Sequence, residues 1–257
     1  MLNLPEHAPE DEPIFTAAEL LAQRWSRGGA PKVLPPHTVI IGHQRAAIDA
    51  LLKRYRHIKV AGFFGDLQLL KTRGQPIGVL QPVGPGAPIV AAALEELIAF
   101  GVQRFVSIGL AGGLSSDLHA GDVVIADRAL RDEGTSYHYL PPARSVEADP
   151  ALVLDISAAL SARRVVHSIG ASWTTDAPYR ETRREVEAHR DEGVKTVEME
   201  SAAVFAAGQR LDVPTAAVFV IGDRLADLVW QPPADPRVLQ HSLAVVAETS
   251  AAALSEE

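Results

Sequence analysis

Apolar and polar residues follow two different patterns along this chain. Short apolar runs bounded by turn residues, such as 38–42 and 215–221, predict buried strands. Apolar residues that recur three or four positions apart predict helices, and Thr16–Glu19 has the residues of a capping box that begins one of them. The other predicted strands are 76–83, 104–108, 121–126, 165–171 and a short one through 196–200, and the predicted helices are 16–26, 46–55, 89–100, 150–163, 179–191, one after 200, and 236–254.

Strands and helices alternate along the whole sequence, which favours one α/β domain over residues 1–257 with a largely parallel or mixed sheet. Residues 1–14 are acidic and contain proline, and they are predicted to form an N-terminal arm. In such sheets ligands bind beyond the carboxyl ends of the strands. Candidate ligand-binding residues follow predicted strands at Gly42, Gly84, Gly109, Asp127, Trp173, Glu200 and Asp223.

Composition narrows the possible functions. The sequence has no cysteine, which excludes disulfides and thiolate catalysis and fits a cytoplasmic protein. A net charge of −8 without a dense Lys/Arg cluster argues against nucleic-acid binding. No apolar run reaches the ~18 residues of a membrane span, so no membrane partner is expected. No His/Asp cluster has metal-ligand spacing, so no metal and no organic cofactor is expected.

Glu198, Met199 and Glu200 form the most informative segment. They end a predicted buried strand at the point where a small-residue helix begins. A carboxylate there can accept two hydrogen bonds from a vicinal diol, such as the 2′- and 3′-hydroxyls of a ribose. The alternative is a solvent-facing acid pair beside an ordinary core helix.

Two glycine-rich turns and one acid also follow predicted strands. Gly84 and Gly86 precede a helix with Pro88 in its first turn, where backbone N–H groups favour an anion or polar sugar oxygens. Gly109–Gly113 is predicted to be a second glycine-rich strand exit, for which tight packing is an equally good explanation. Asp223, at the end of an apolar strand, is a candidate general acid or a helix-capping residue.

Two aromatic residues are candidates for contact with a flat ring. Trp173 is expected to follow a strand, and Tyr179 to begin the next helix. Either side chain can stack on a ligand, although large aromatic residues more often pack in the core.

These segments together resemble the nucleoside phosphorylase family, which includes purine nucleoside phosphorylase, uridine phosphorylase and the methylthioadenosine/S-adenosylhomocysteine nucleosidases. The resemblance runs from about Val39 to Trp230. It rests on Gly84-x-Gly-x-Pro88 with Leu94–Leu97, Gly109-x-x-Gly112 with Gly121-Asp122, Glu133–His138 and Val197–Glu200. The resemblance implies a three-layer α/β/α fold with a central mixed, partly barrel-like sheet.

The resemblance also implies roles for individual residues. Glu200 corresponds to the family glutamate that binds the ribose hydroxyls, with Met199 and Glu198 beside it, and His7 would reach a neighbouring subunit's 5′-hydroxyl. Asp223 corresponds to the acid that protonates a purine leaving group. The base would also contact Trp173 or Tyr179, and Glu181 and Arg183 stand where uridine phosphorylases carry a Gln-x-Arg pair, which leaves the choice between purine and pyrimidine open.

The phosphate end departs from the family pattern. Gly42, Arg45, Gly84, Gly86 and Gly109 are the residues expected to hold phosphate. Arg45 stands one position early, and Ser107 and Leu110 occupy the positions of an arginine and a hydroxyl residue that contact phosphate in the family. Bidentate Arg–phosphate pairing is hard to replace.

Three activities follow from these observations. The first is phosphorolysis of a nucleoside to free base and ribose 1-phosphate, with inorganic phosphate as co-substrate. The second is hydrolysis by water, as in nucleosidases, and the third is nucleoside binding without catalysis. The family also implies a homo-oligomer, namely a dimer, trimer or hexamer.

Overall fold

One mixed sheet organises residues 11–255, the part of the chain that the computed structural model describes. Its strands are β1 Thr38–Gly42, β2 His57–Phe63, β3 Gly65–Leu70, β4 Ile77–Pro82, β5 Arg104–Gly113, β6 Val123–Asp132, β7 Ser145–Glu147, β8 His167–Thr175, β9 Thr196–Glu198 and β10 Thr215–Arg224. The helices are α1 Ala17–Arg24, α2 Arg45–Arg54, α3 Ala87–Phe100, α4 Pro150–Ala162, α5 Arg183–Asp191, α6 Ser201–Arg210 and α7 Arg237–Ser255.

Five of the strands close into a barrel. The ring runs β10, β6, β8, β9 and β5, and β5 pairs in parallel with β10 to close it. From β5 the sheet continues outward through β1, β4, β3 and β2. Helices pack around this sheet, with α7 against α2 and α4, and α6 against α3. The predicted α/β fold with a central mixed, partly barrel-like sheet is therefore confirmed.

Local sequence signals explain several helix ends. The Thr16 side chain accepts a hydrogen bond from the Glu19 N–H, and the Glu19 carboxylate accepts one from the Thr16 N–H, so the predicted capping box is confirmed. Pro88 lies in the first turn of α3, as predicted. Thr182 and Glu185 make a second capping box, which starts α5 at residue 183, four positions later than predicted.

Four strands are longer than predicted, and this changes the setting of four candidate residues. Gly109, Asp127, Trp173 and Asp223 lie inside β5, β6, β8 and β10, respectively, and do not follow them. The β2–β3 hairpin was not predicted, because 57–70 mixes exposed polar residues and glycines and lacks a long apolar run. Strands of a barrel are long because they tilt and curve around the core, and they continue beyond their apolar runs. A prediction from apolar runs alone therefore makes them too short.

No helix within residues 11–255 is long and apolar enough to cross a membrane. Of the predicted N-terminal arm, residues 11–14 contain no helix or strand, and Ile14 is fully exposed. His7 lies outside the described residues.

Candidate active site

A cavity of about 390 Å³ opens where β5, β9 and β10 come together. This volume suits a small organic ligand. Leu110, Ala111, Val197, Met199 and Leu225 give it an apolar wall, and Asp223 and Glu181 add carboxyl groups. The remaining lining residues are Gly112, Pro178, Glu198, Gly222, Trp230 and Pro233.

A local irregularity in β10 accompanies the placement of Asp223 in this cavity. The pairing of β10 with β5 shifts register between Ile221 and Asp223, as at a β-bulge. Bulges commonly redirect a side chain next to a site. The Trp230 indole N–H donates a hydrogen bond to Asp223 Oδ2 at 2.5 Å, which holds the carboxylate at the cavity wall.

The carboxylate of Glu198 accepts hydrogen bonds from four groups of the protein itself. Its Oε1 accepts hydrogen bonds from the hydroxyls of Ser172 (3.1 Å) and Thr174 (2.6 Å). Its Oε2 accepts from the backbone N–H groups of Glu200 (2.7 Å) and Ser201 (2.8 Å) at the start of α6. These four donors use all its acceptor positions to cap α6 and to fix Glu200, so the structure supports a structural role for Glu198, and its contact with ribose stays a prediction.

Glu200 is buried like Glu198, but its carboxylate keeps acceptor positions that no other side chain within residues 11–255 uses. It is 8% exposed, and its Oε1 accepts a 2.6 Å hydrogen bond from the Gly86 N–H. Burial raises the pKa of Glu200, whereas the backbone N–H groups of Gly86 and Met199 act to lower it. Met199 lines the cavity directly beside it.

The glycine turn before α3 serves Glu200. Gly86 was predicted to contact phosphate, and in the structure its N–H group donates to the Glu200 carboxylate. Gly86 has a φ of 105°, which residues with a side chain rarely adopt, and so the turn requires glycine there. Gly84 lies two residues earlier in the same turn and is half-buried.

His43 is a buried site residue that the sequence pattern did not reveal. Its Nε2 is 2.9 Å from the Ser107 hydroxyl, and its Nδ1 is 3.9 Å from Glu200 Oε1. Burial lowers the pKa of His43 to about 4, and the charge of Glu198 opposes this only in part. His43 is therefore neutral at physiological pH. Its position directly after the buried strand β1 was the available signal.

The other predicted phosphate residues near His43 have different surroundings. A Cβ on Gly42 would lie 2.3 Å from the Ile48 side chain, so this glycine allows α2 to pack closely. Gly109 lies under the His43 ring, because a Cβ on Gly109 would be 3.5 Å from His43 Cδ2. The Arg45 side chain is 79% exposed and faces Asp49, so the structure does not bring it to the buried groups.

The predicted base contacts separate into two groups. Glu181 lines the cavity, and burial, together with the charges of Asp223 and Glu185, raises its pKa to about 7. Tyr179 is 98% exposed, and Arg183 is exposed on the first turn of α5, so neither lines the cavity.

Trp173 was predicted to contact the base, but it is not among the residues that line the cavity. It is 1% exposed, its indole N–H donates to Asp132 at 2.9 Å, and its ring packs on His189. Trp230 is the aromatic residue at the cavity, and it lies in the loop after β10, beyond the segments that the strand pattern singled out.

Metal ligands are not grouped in this region. Within residues 11–255, no cluster of three or more His, Asp or Glu side chains is placed to hold an ion.

Comparison with known proteins gives a consistent result. A family model described as "Phosphorylase superfamily" matches residues 38–256. The chain is 35% identical to "Guanosine phosphorylase" of Halorubrum lacusprofundi over 55% of its own length and 59% of that protein. It is 32% identical to "Uridine phosphorylase" of Treponema pallidum (57% and 60% of the two lengths) and 30% identical to "Purine nucleoside phosphorylase DeoD-type" of Latilactobacillus sakei (66% and 73%).

The alignments with the first two relatives thus span about 60% of their lengths. Among solved structures, uridine phosphorylase from Vibrio fischeri ES114 has a similar fold. The TM-score is 0.77 at 22% identity, over 87% of this chain and 93% of that one.

Proposed function

The chain belongs to the phosphorylase superfamily, and from this we propose that it cleaves the N-glycosidic bond of a nucleoside with phosphate as acceptor. The products would be a free base and ribose 1-phosphate. Relatives named guanosine, uridine and purine nucleoside phosphorylases support this reaction class. Phosphate is the co-substrate, and the reaction requires no organic cofactor.

The observation that carries the proposal is the placement of Glu200. All acceptor positions of its neighbour Glu198 are used by donors of the protein itself. Glu200 is therefore the carboxylate that can accept hydrogen bonds from the hydroxyls of a ribose. As the glycosidic bond breaks, the sugar develops positive charge in an oxocarbenium-like transition state. A carboxylate held beside the sugar stabilises that charge more than it stabilises the ground state.

The base would occupy the cavity lined by Asp223, Glu181 and Met199. We assign Asp223 as the acid that donates a proton or hydrogen bond to the departing base. Because the pKa of Glu181 is about 7, a large fraction of this side chain is protonated at neutral pH and can donate a hydrogen bond as well as accept one. This suits a base with both donor and acceptor groups on one edge, as in a purine or a uracil.

Hydrolysis is a second candidate function, favoured by one observation at the acceptor side. The charged Arg45 side chain lies at the surface, and the buried groups near Glu200 are the neutral His43 and Ser107. A phosphate ion gains most from cationic partners, whereas water does not need them.

Base release from inosine, guanosine, adenosine, uridine and methylthioadenosine, each with and without phosphate, tests the proposal. We expect release that depends on phosphate, together with ribose 1-phosphate as a product. Equal rates without phosphate would replace phosphorolysis with hydrolysis. Calorimetric binding of a nucleoside without any base release would contradict both enzymatic functions.

A further inference from the structure

His43 carries a buried polar atom that has no partner. Its side chain is 9% exposed, and its Nδ1 makes no hydrogen bond with any residue in 11–255. Native proteins rarely leave such a buried atom without a hydrogen bond unless the atom has a use. Because Nε2 contacts Ser107 at 2.9 Å, the ring is fixed with Nδ1 directed toward Glu200.

The space between His43 and Glu200 fits a single oxygen atom. Nδ1 and Glu200 Oε1 are 3.9 Å apart, too far for a direct hydrogen bond. An oxygen ~2.8 Å from both atoms would make an angle of about 90° between them, which a hydroxyl can bridge. Oε1 already accepts from Gly86 and has a second lone pair available.

The chemistry of the two groups favours a hydroxyl as the bridging group. If the Ser107 hydroxyl donates to Nε2, then Nδ1 carries the proton and donates to the bridging oxygen. That oxygen must in turn donate to the Glu200 carboxylate, which a hydroxyl can do. A phosphate oxygen would bring negative charge next to Glu200, and the neutral His43 would not compensate it.

The proposed function supplies this hydroxyl. A vicinal diol that spans both oxygens of Glu200 places one hydroxyl at Oε1, on the side of His43. Resting on that function, we propose that His43 binds one of the two vicinal ribose hydroxyls through Nδ1, jointly with Glu200, and so selects ribonucleosides over the deoxynucleoside that lacks it. Ser107 is the residue that positions the ring.

Two substitutions separate the ring nitrogens. His43→Gln places an amide near Nε2 and loses the group at Nδ1, whereas His43→Asn retains a polar group near Nδ1. The measurement is kcat/KM, and the calorimetric Kd, for a ribonucleoside and its 2′-deoxy and 3′-deoxy forms. His241→Gln, an exposed histidine on α7, is the matched control.

We expect His43→Gln to lower kcat/KM for the ribonucleoside about five- to tenfold, the equivalent of one hydrogen bond. One of the two deoxynucleosides, the one without the bound hydroxyl, should be unaffected. His43→Asn should keep most of the wild-type preference, and Ser107→Ala should lose part of it. Thermal melts of each variant identify any that fails to fold, in which case Ser107→Ala carries the test.

Equal losses on all three nucleosides would overturn the proposal, because His43 would then act only on the structure. An unchanged preference in His43→Gln would overturn it as well. If the wild type binds ribonucleosides but releases no base, the proposed function fails and the Kd values still test the role of His43. A wild type that neither binds nor cleaves any of the three overturns both.

Discussion

At the residue scale, Glu198 and Glu200 differ in what surrounds their oxygens. Hydroxyls and backbone N–H groups saturate Glu198, and burial together with the charge of Glu200 raises its pKa. Glu200 Oε1 accepts a hydrogen bond from the Gly86 N–H, and the backbone N–H of Met199 also helps to lower its pKa, which leaves acceptor positions on the carboxylate that no other side chain within residues 11–255 uses. We therefore assign a structural role to Glu198 and propose a ligand-binding role for Glu200, two positions away.

Exchange of each glutamate for glutamine should separate these roles. Glu198→Gln replaces one of two acceptor oxygens with an NH₂ group and removes the charge, so at least two of the four donors lose their carboxylate acceptor. We therefore expect a loss of about 2–3 kcal/mol in the free energy of unfolding. Glu200→Gln should leave the fold intact and lower kcat/KM about 100-fold, because two charge-assisted hydrogen bonds to the sugar are weakened. Denaturant unfolding and base-release kinetics measure the two effects. A stable Glu198→Gln protein with a large activity loss would reverse our assignment.

His43 gives a pH dependence of stability whose sign follows from its lowered pKa. The unfolded state takes up the His43 proton below about pH 6.5, whereas the folded state does so only near pH 4. Stability is therefore lost as the pH falls from 6.5 to about 4, by up to about 3 kcal/mol. The raised pKa values of Glu198 and Glu200 act in the opposite direction over this range.

Comparison with His43→Gln isolates this contribution. Urea unfolding at pH 7, 6, 5 and 4.5 should show wild-type stability falling relative to the variant by an increasing amount. Parallel curves for the two proteins would mean that His43 has the same pKa in the folded and unfolded states.

Candidate residues at this scale could be predicted from the sequence where a local pattern, such as the end of an apolar strand, marks them. Met199 and Asp223 line the cavity, and Glu200 contacts the Gly86 N–H beside it, because these residues lie at or near the end of an apolar strand. Glu181 also lines the cavity, but it was predicted from the family resemblance and not from a local pattern. The prediction missed His43, whose importance comes from Ser107, 64 positions away in the chain. The sequence also did not indicate that the Arg45 guanidinium would lie at the surface beside Asp49, because it does not say which side of α2 carries this group.

At the element scale, the turn before α3 connects backbone conformation to the site. Gly86 combines a φ of 105° with the N–H group that holds Glu200, and a Cβ there would have open space, with Pro88 3.9 Å away. A substitution would thus act through the backbone and not through a steric clash. The ends of β5, β8 and β10 were predicted too early, because these strands continue through glycines and polar residues that interrupt the apolar pattern.

Gly86→Ala and Gly193→Ala make a matched pair. Gly193 has a φ of 79° at the end of α5 and open space around it. We expect each variant to lose about 1–2 kcal/mol of stability, because both residues would be strained. Only Gly86→Ala should also lower kcat/KM, about tenfold, since its N–H would move away from Glu200. Equal activity of the two variants would show that the Gly86 hydrogen bond does not position the carboxylate.

At the scale of the whole molecule, the alternation of strands and helices was enough to predict an α/β fold with a mixed sheet. Closure of the barrel was predictable only from the family resemblance. It depends on the antiparallel pairing of β9 with β5, in which Gly112 lies opposite Val197, and on the parallel pairing of β5 with β10. Such pairings join segments far apart in sequence, and the local pattern of apolar residues does not specify them.

The sheet ends in an exposed edge that we expect to mediate self-association. β2 is the terminal strand of the described sheet and is largely exposed, with Ile58 at 42% and Phe64, in the following turn, at 40%. Exposed apolar edge strands are usually covered by another chain or protected by charge. We therefore expect the protein to form a homo-oligomer through this edge, and Ile58→Glu to reduce its mass in light scattering to that of a smaller species. Val166→Glu, at a residue 90% exposed in the turn before β8, is the control and should leave the mass unchanged. A monomeric wild type, or an Ile58→Glu variant of unchanged mass, would exclude β2 as the interface.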